Sequence, residues 1–202
     1  MAAFEPFEDT LRRQGKRLIC GVDEAGRGPL AGPVFAAAVI LPEGIEIPGL
    51  DDSKKLTEKK REVLFDLIRE QAVAFAIAAA DVAEIEQINI LNAAMLAMRR
   101  SVEQLDPPAD YALIDGNRLP ELSIPAEWII KGDARCQSVA AASILAKVAR
   151  DRYMLRMAEA YPQYAFEKHK GYGTKLHYER LREFGPSPIH RMSFLKKADL
   201  GR

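Results

Sequence analysis

Hydrophobic positions along the chain fall into short unbroken runs and longer periodic stretches, and the two patterns predict different elements. Residues 18–22 form an apolar run that stops at Asp23-Glu24-Ala25-Gly26-Arg27-Gly28-Pro29, which predicts a strand ending in a turn. Residues 33–41, rich in Val and Ile, predict a second strand hairpinned to the first. Leu56, Val63, Leu64, Leu67 and Ile68 share one face of a helix over 56–70 that starts near Thr57-Glu58. The alanine-rich run 71–80 leaves helix and strand open, but its length and the helix before it favour a strand. Residues 81–105 space Ile85, Ile88, Leu91, Met95, Met98 and Val102 as a buried stripe, predicting one long helix that Pro107-Pro108 ends.

Two short apolar runs follow, 111–114 leading into Asp115-Gly116-Asn117 and 128–130 leading into Lys131-Gly132-Asp133. Residues 138–161 predict a second long helix, whose small residues at 139–143 allow close packing on a sheet. Pro162 breaks it, and 166–174 reads as a loop punctuated by Gly171 and Gly173. The first half is a meander, whereas the strand–helix alternation of the second half implies parallel strands. The expected fold is α/β, with a mixed sheet flanked by helices. No repeat or low-complexity tract interrupts it.

At 202 residues and 48% hydrophobic, the chain suits one domain with a full core, which excludes the disordered class. Cys20 and Cys136 lack metal-ligand spacing and are expected as reduced thiols in or near the core. Residues 1–17 lack the basic-then-apolar order of a signal peptide, and no run reaches membrane-span length, so a cytoplasmic protein with no membrane partner is expected. Formal net charge is zero, which argues against binding nucleic acid through overall charge. Yet residues 161–202 hold nine Lys or Arg against four Asp or Glu, leaving twenty against twenty-five before them. All three histidines, His169, His177 and His190, lie in that basic part. An acidic body with a basic arm suits a polyanionic substrate, although the scattered charges at 180–183 read as a solvated helix face.

Asp23, Glu24, Asp115 and Asp133 all fall at carboxyl ends of predicted strands, where open α/β sheets place their ligand crevice. A lone Asp there is usually a turn former. Four carboxylates at one edge repel unless cations neutralise them, and oxygen-only ligands point to Mg²⁺ or Mn²⁺. Two such ions about 3.5–4 Å apart would drive an in-line phosphoryl displacement. Neighbouring strand residues face opposite ways, so Asp23 and Glu24 converge only if the chain turns there, as Gly26 and Gly28 permit. The same glycines admit a phosphate or sugar to the backbone, and Arg27 adds a fork of donors.

Six motifs in order carry a specific resemblance. They are Gly21-Val22-Asp23-Glu24-Ala25-Gly26-Arg27-Gly28, Asp52-Ser53-Lys54-Lys55-Leu56, Ile114-Asp115-Gly116, Lys131-Gly132-Asp133, the stretch from Ala141 to Arg152, and His169-Lys170-Gly171-Tyr172-Gly173-Thr174. From about residue 17 to 195 the chain resembles the bacterial ribonuclease HII family. The resemblance implies a ribonuclease H-like fold with a mixed five-stranded sheet, a catalytic domain over 1–160 and a basic helical extension over 161–202 packed on it. It implies an endonuclease that hydrolyses the RNA strand of RNA–DNA hybrids and nicks duplex DNA 5′ of embedded ribonucleotides, leaving 3′-hydroxyl and 5′-phosphate ends. Asp23, Glu24, Asp115 and Asp133 would form its two-metal site. The backbone of Gly26, Arg27 and Gly28 would recognise the ribose 2′-OH, which alone tells RNA from DNA at one sugar, and Tyr172 would position the junction. The sister family, ribonuclease HIII, differs at the position of Arg27 and carries an extra N-terminal domain.

Lys54, Lys55, Lys168 and Lys170 are candidate phosphate contacts, and equally ordinary solvated loop lysines. Asp151 reads as a helix-surface pair with Lys147 rather than a metal ligand. His169 is a candidate for the leaving group, although a lone loop histidine usually has no such task. A clamp-binding peptide is not evident in 196–202, and a monomer is expected. Two rival readings are strand transfer or junction resolution on the same fold, which the Gly-Arg-Gly turn and Tyr172 disfavour, and a binding module with a dead metal site, which would lack one of the four carboxylates.

Overall fold

The computed structural model describes residues 4–196. In chain order its elements are α1 (Phe7–Arg13), β1 (Ile19–Ala25), β2 (Val34–Ile40), α2 (Glu58–Gln71), β3 (Ala74–Ala80), α3 (Val82–Glu103), β4 (Tyr111–Asp115), β5 (Ala126–Ile129), α4 (Gly132–Arg135), α5 (Gln137–Ala160), α6 (Phe166–His169), α7 (Lys175–Phe184) and α8 (Met192–Leu195), with single turns of 3₁₀ helix at Ser53–Lys55 and Pro162–Tyr164. The five strands form one sheet ordered β3-β2-β1-β4-β5. β2 is antiparallel to both β1 and β3, while β4 runs parallel to β1 and β5 parallel to β4. The expected mixed sheet is thus present, and β3 resolves the alanine-rich ambiguity.

Strand alternation sends Cys20, Val22, Ala112 and Ile114 into one core layer against α3, and Ala37, Val39 and the alanines of α5 into another. Small residues on both surfaces let α5 lie close on β1. A Cβ on Gly21 would stand 2.2 Å from the backbone of Ser138 and Val139, so any larger residue there would lift the helix from the sheet. A third core joins Leu30 and Ala31 to Met154, Tyr164, Phe166, Leu181 and Leu195, and it seats the C-terminal helices on the end of α5.

Some local expectations are corrected. α3 is not continuous: Asn89 has φ 67° and ψ 164°, and its Oδ1 accepts from the amides of Leu91 (3.0 Å) and Asn92 (3.1 Å), capping a restarted helix inside the predicted one. Residues 166–169 are helical rather than loop. α1 was not anticipated; its Glu8 carboxylate accepts from the amide (3.0 Å) and hydroxyl (2.7 Å) of Ser138 and so caps α5 from afar. Both cysteines are buried free thiols, and burial pushes Cys20 up to about 12. Among the described residues no helix is long and apolar enough to cross a membrane. The expectation concerning a clamp-binding peptide falls mostly on 197–202, outside the described residues.

Candidate active site

Sheet register brings the first two carboxylates together. Val22 pairs with Ile114 across the parallel β1–β4 ladder, so the next residues, Asp23 and Asp115, stand side by side at the carboxyl ends of adjacent strands. Asp133 arrives by a different route from the one expected, from the short helix α4 beyond β5 rather than from a strand end. The Asp115 carboxylate holds that helix, since its Oδ1 accepts from the amides of Gly132 (2.6 Å) and, more weakly, Asp133 (3.4 Å). One oxygen from each of Asp23, Asp115 and Asp133 lies within 4.8 Å of the others.

Glu24 stands apart from this triangle. β1 continues as regular strand through Ala25, with Glu24 paired to Ala36 and Ala25 to Phe35, so the turn falls after Ala25 and not between the two carboxylates. Its Oε1 instead accepts from Arg27 at 3.1 Å.

Electrostatics mark the triangle as a site for a cation. Burial, then the charges of Glu24, Asp115 and Asp133, push the Asp23 carboxyl well above its ordinary range. Burial and the charges of Asp133 and Glu24 likewise raise Asp115. Three converging carboxylates with oxygen donors only, in a pocket that penalises their charge, fit a hard divalent cation. A protein cation reaches the triangle: Lys54 Nζ donates to Asp133 Oδ2 at 2.9 Å. Burial opposes the Lys54 charge, but the hydrogen bond and the acidic surroundings outweigh it and raise its pKa.

The other expected residues form a second group on the same end of the sheet. Gly26 has φ +100°, and a Cβ there would lie 2.1 Å from Arg150 Nε, so only glycine fits. Arg27 and Gly28 are exposed. A Cβ on Gly28 would meet the Tyr172 ring at 3.9 Å, which puts Tyr172, 42% exposed, beside the Gly-Arg-Gly turn. The Arg150 guanidinium lies 5.6 Å from the centre of the Tyr172 ring and Lys147 Nζ 6.0 Å, so two cations back that aromatic face.

The remaining lysines divide. Lys55 is paired with Asp51 at 3.0 Å on the surface. Lys168 is exposed on α6, and Lys170 turns its Nζ back onto the Glu167 carbonyl at 2.7 Å. Asp151 does pair with Lys147, at 2.7 Å, but it is buried between α5 and α2, where Arg61 lies 3.9 Å away; the surface description is corrected.

His169 is neither lone nor in a loop. It is buried on α6, stacked on His177 with ring centres 4.3 Å apart, and its Nε2 meets the Tyr164 carbonyl at 2.9 Å, so both expected surroundings are corrected. His177 and His190 complete a buried trio that spacing in sequence did not reveal. Two buried arginines were also missed, Arg150 and Arg191, which bond to backbone carbonyls far away in the chain.

Comparison with known proteins fits this geometry. Residues 20–197 match the family model described as Ribonuclease HII. A relative from Idiomarina loihiensis, Ribonuclease HII, is 61% identical over 177 residues, covering 88% of this chain and 95% of that one. Another, from Caldicellulosiruptor saccharolyticus and of the same name, is 54% identical over 190 residues, covering 94% and 93%. The fold is similar to the crystal structure of ribonuclease H2 from Pyrococcus horikoshii OT3, with TM-score 0.74 at 24% identity, covering 91% of this chain and 97% of that one. With a matching model over most of its length and relatives of its own size, the chain belongs to the ribonuclease HII family and is a metal-dependent nuclease acting on RNA–DNA hybrids.

Proposed function

We propose that this enzyme, in the cytoplasm, also nicks duplex DNA on the 5′ side of a single embedded ribonucleotide, and that it works by two-metal phosphodiester hydrolysis. The observation that carries this reading is one juxtaposition: the Asp23–Asp115–Asp133 triangle and the Gly28–Tyr172 pair open on the same end of the sheet. A cut placed by a sugar needs both a phosphate-cleaving centre and a ribose reader within a nucleotide's length.

In this reading Asp23, Asp115 and Asp133, with Glu24 released from Arg27, hold two Mg²⁺ or Mn²⁺ ions. Such ions, when bound, supply an activated water and stabilise the leaving 3′-oxygen. Asp115 has a second task in keeping α4, and with it Asp133, in place. The amides of Arg27 and Gly28 receive the 2′-OH, Tyr172 presses on the sugar at the junction, and Lys54, Lys168 and Lys170 contact phosphates. Residues 1–160 form the catalytic domain, and 161–202 form the extension that carries Tyr172 to it. The protein works as a monomer.

The test is cleavage of a DNA duplex carrying one ribonucleotide, across a titration of Mg²⁺ and of Mn²⁺, beside a long hybrid. Cutting at the ribonucleotide that depends steeply on metal supports the reading. Cutting of the long hybrid with the single-ribonucleotide duplex left intact would restrict the enzyme to hybrids.

A further inference from the structure

Arg191 is fully buried, which is unusual for a guanidinium and needs a reason. Its donors all go to backbone carbonyls of one loop: Nη1 to Arg27 at 2.9 Å, Nη2 to Gly26 at 2.6 Å and to Gly32 at 2.7 Å, and Nε to Gly32 at 2.9 Å. One planar fork makes all four of these bonds at fixed angles, whereas an ammonium has only three N–H donors and no fixed fork. In a trans peptide the C=O of one residue and the N–H of the next point in opposite directions. Fixing the Gly26 and Arg27 carbonyls inward therefore turns the Arg27 and Gly28 amides outward, toward the side on which Tyr172 lies. Neither amide donates to another group among the described residues, while Gly32 donates to Ile189 at 2.8 Å.

The neighbour of Arg191 supports the other half of the same surface. The Tyr172 carbonyl can only accept, so His177 Nδ1, 2.9 Å away, carries its proton there. Neutral His177 then accepts at Nε2 from His190 Nε2 at 3.0 Å, and His190 Nδ1 accepts from the Ser187 amide at 2.9 Å. The chain Ser187 to His190 to His177 to Tyr172 is fully satisfied. Backbone bonds from Leu30 to Gly171 and from Arg191 to Leu30, both 2.8 Å, tie the two halves together.

We infer that Arg191 is a positioning residue for ribose recognition: it aims the Arg27 and Gly28 amides at the substrate, while His190 beside it fixes Tyr172 opposite them. This rests on the reading of Gly26, Arg27, Gly28 and Tyr172 given above. Residues 187–191 thus set both walls of the ribose-reading gap without touching the nucleic acid, and the acidic triangle does not depend on them.

The test compares wild type with Arg191→Lys, which keeps the charge and loses the fork. On a duplex with one ribonucleotide, kcat should fall about 10- to 100-fold, the scale on which a misplacement of about 1 Å acts, with KM changed far less. Mn²⁺ binding measured by calorimetry should be unchanged, which a general loosening of the fold would not allow. A folded Arg191→Lys protein with wild-type kcat overturns the inference. Amide exchange on wild type supplies a measurement independent of that variant's folding. The Arg27 and Gly28 amides should exchange fast and Gly32 slowly, and equal protection of all three would overturn the outward orientation. In an Asp115→Asn background, adding the single-ribonucleotide duplex but not all-DNA duplex should protect Arg27 and Gly28. If the Asp115→Asn protein with Arg191 intact shows no such response, the reading of the ribose site fails; if it does and Arg191→Lys keeps wild-type kinetics, only the role of Arg191 fails.

Discussion

Lys54 Nζ lies 2.9 Å from Asp133 Oδ2, so a protein cation sits at the mouth of the acidic triangle. Its charge and that of a bound ion compete for the same carboxylates. Replacing it should therefore strengthen metal binding, even though it weakens phosphate contact.

For Lys54→Met we expect the affinity for Mn²⁺ to rise several-fold, in keeping with an interaction of about 1 kcal/mol for a charge on a largely exposed side chain. Calorimetric titration without nucleic acid checks it. Unchanged or weaker Mn²⁺ binding would mean that Lys54 is only a solvated side chain resting on the site.

Asp115→Asn separates charge from geometry. The amide oxygen still accepts from the Gly132 amide, as Asp115 Oδ1 does at 2.6 Å, while the repulsion with Asp133 and Glu24 is removed. Cleavage should be lost, yet the metal-free variant should melt no lower than wild type and higher by a few degrees. The sign follows from the raised pKa: the folded state prefers the protonated form, so the wild-type penalty is absent at low pH and grows as pH rises above the ordinary carboxyl range. Melting curves in chelator at pH 4 and pH 7 test this, and a lower melting temperature for the variant at pH 7 would refute the repulsion argument.

The histidine trio makes stability depend on mild acid. Burial, more than their neighbours, pushes His177 and His190 down to about 4, below the ordinary 6.5. A proton added to His177 Nε2 would also face the N–H of His190. The unfolded chain binds these protons first, so stability is complete above about pH 6.5 and falls as pH drops toward 4, by on the order of 3 kcal/mol per ring at most. Urea midpoints across that window should show the loss, and His190→Gln should flatten it. A midpoint independent of pH between 7 and 5 would contradict the buried neutral chain.

Gly26 and Gly28 flank Arg27 but differ in what they tolerate. Gly26→Ala forces a side chain into φ +100° and onto Arg150 Nε, and it should destabilise the protein by at least about 1–2 kcal/mol. Gly28 has open space out to Tyr172 at 3.9 Å, so Gly28→Ala should leave the melting temperature unchanged while slowing cleavage at a lone ribonucleotide. Equal stability losses in the two variants would show that the loop is not held as described.

Most of the sheet was legible in the sequence, and so were Asp23 and Asp115, because a strand end followed by Asp announces itself locally and parallel register then aligns the two; Asp133 was expected at a strand end too, but α4 carries it. Glu24 was harder. Its orientation depends on whether β1 continues to Ala25, which is settled by pairing with Phe35 on another strand rather than by the glycines that follow. The restart of α3 at Asn89 is hidden beneath an unbroken apolar stripe. The role of Arg191 was not visible, since its partners lie as far as 165 residues away; the three histidines stood out only as members of the basic part, because no helical or strand period encodes the stacking of His169 on His177 or the bond from His177 to His190. A buried arginine looks, in sequence, like any member of a basic arm.

In the proposed reaction a metal-activated water cuts on the 5′ side of a ribose that the Gly-Arg-Gly turn and Tyr172 recognise. End-group analysis of a duplex carrying one ribonucleotide, run beside the same duplex in all-DNA form, tests it most directly. A 3′-hydroxyl on the upstream DNA, a 5′-phosphate on the ribonucleotide and no cutting of all-DNA are expected; a 2′,3′-cyclic phosphate would overturn the water nucleophile, and equal cutting of the two duplexes would overturn the ribose requirement.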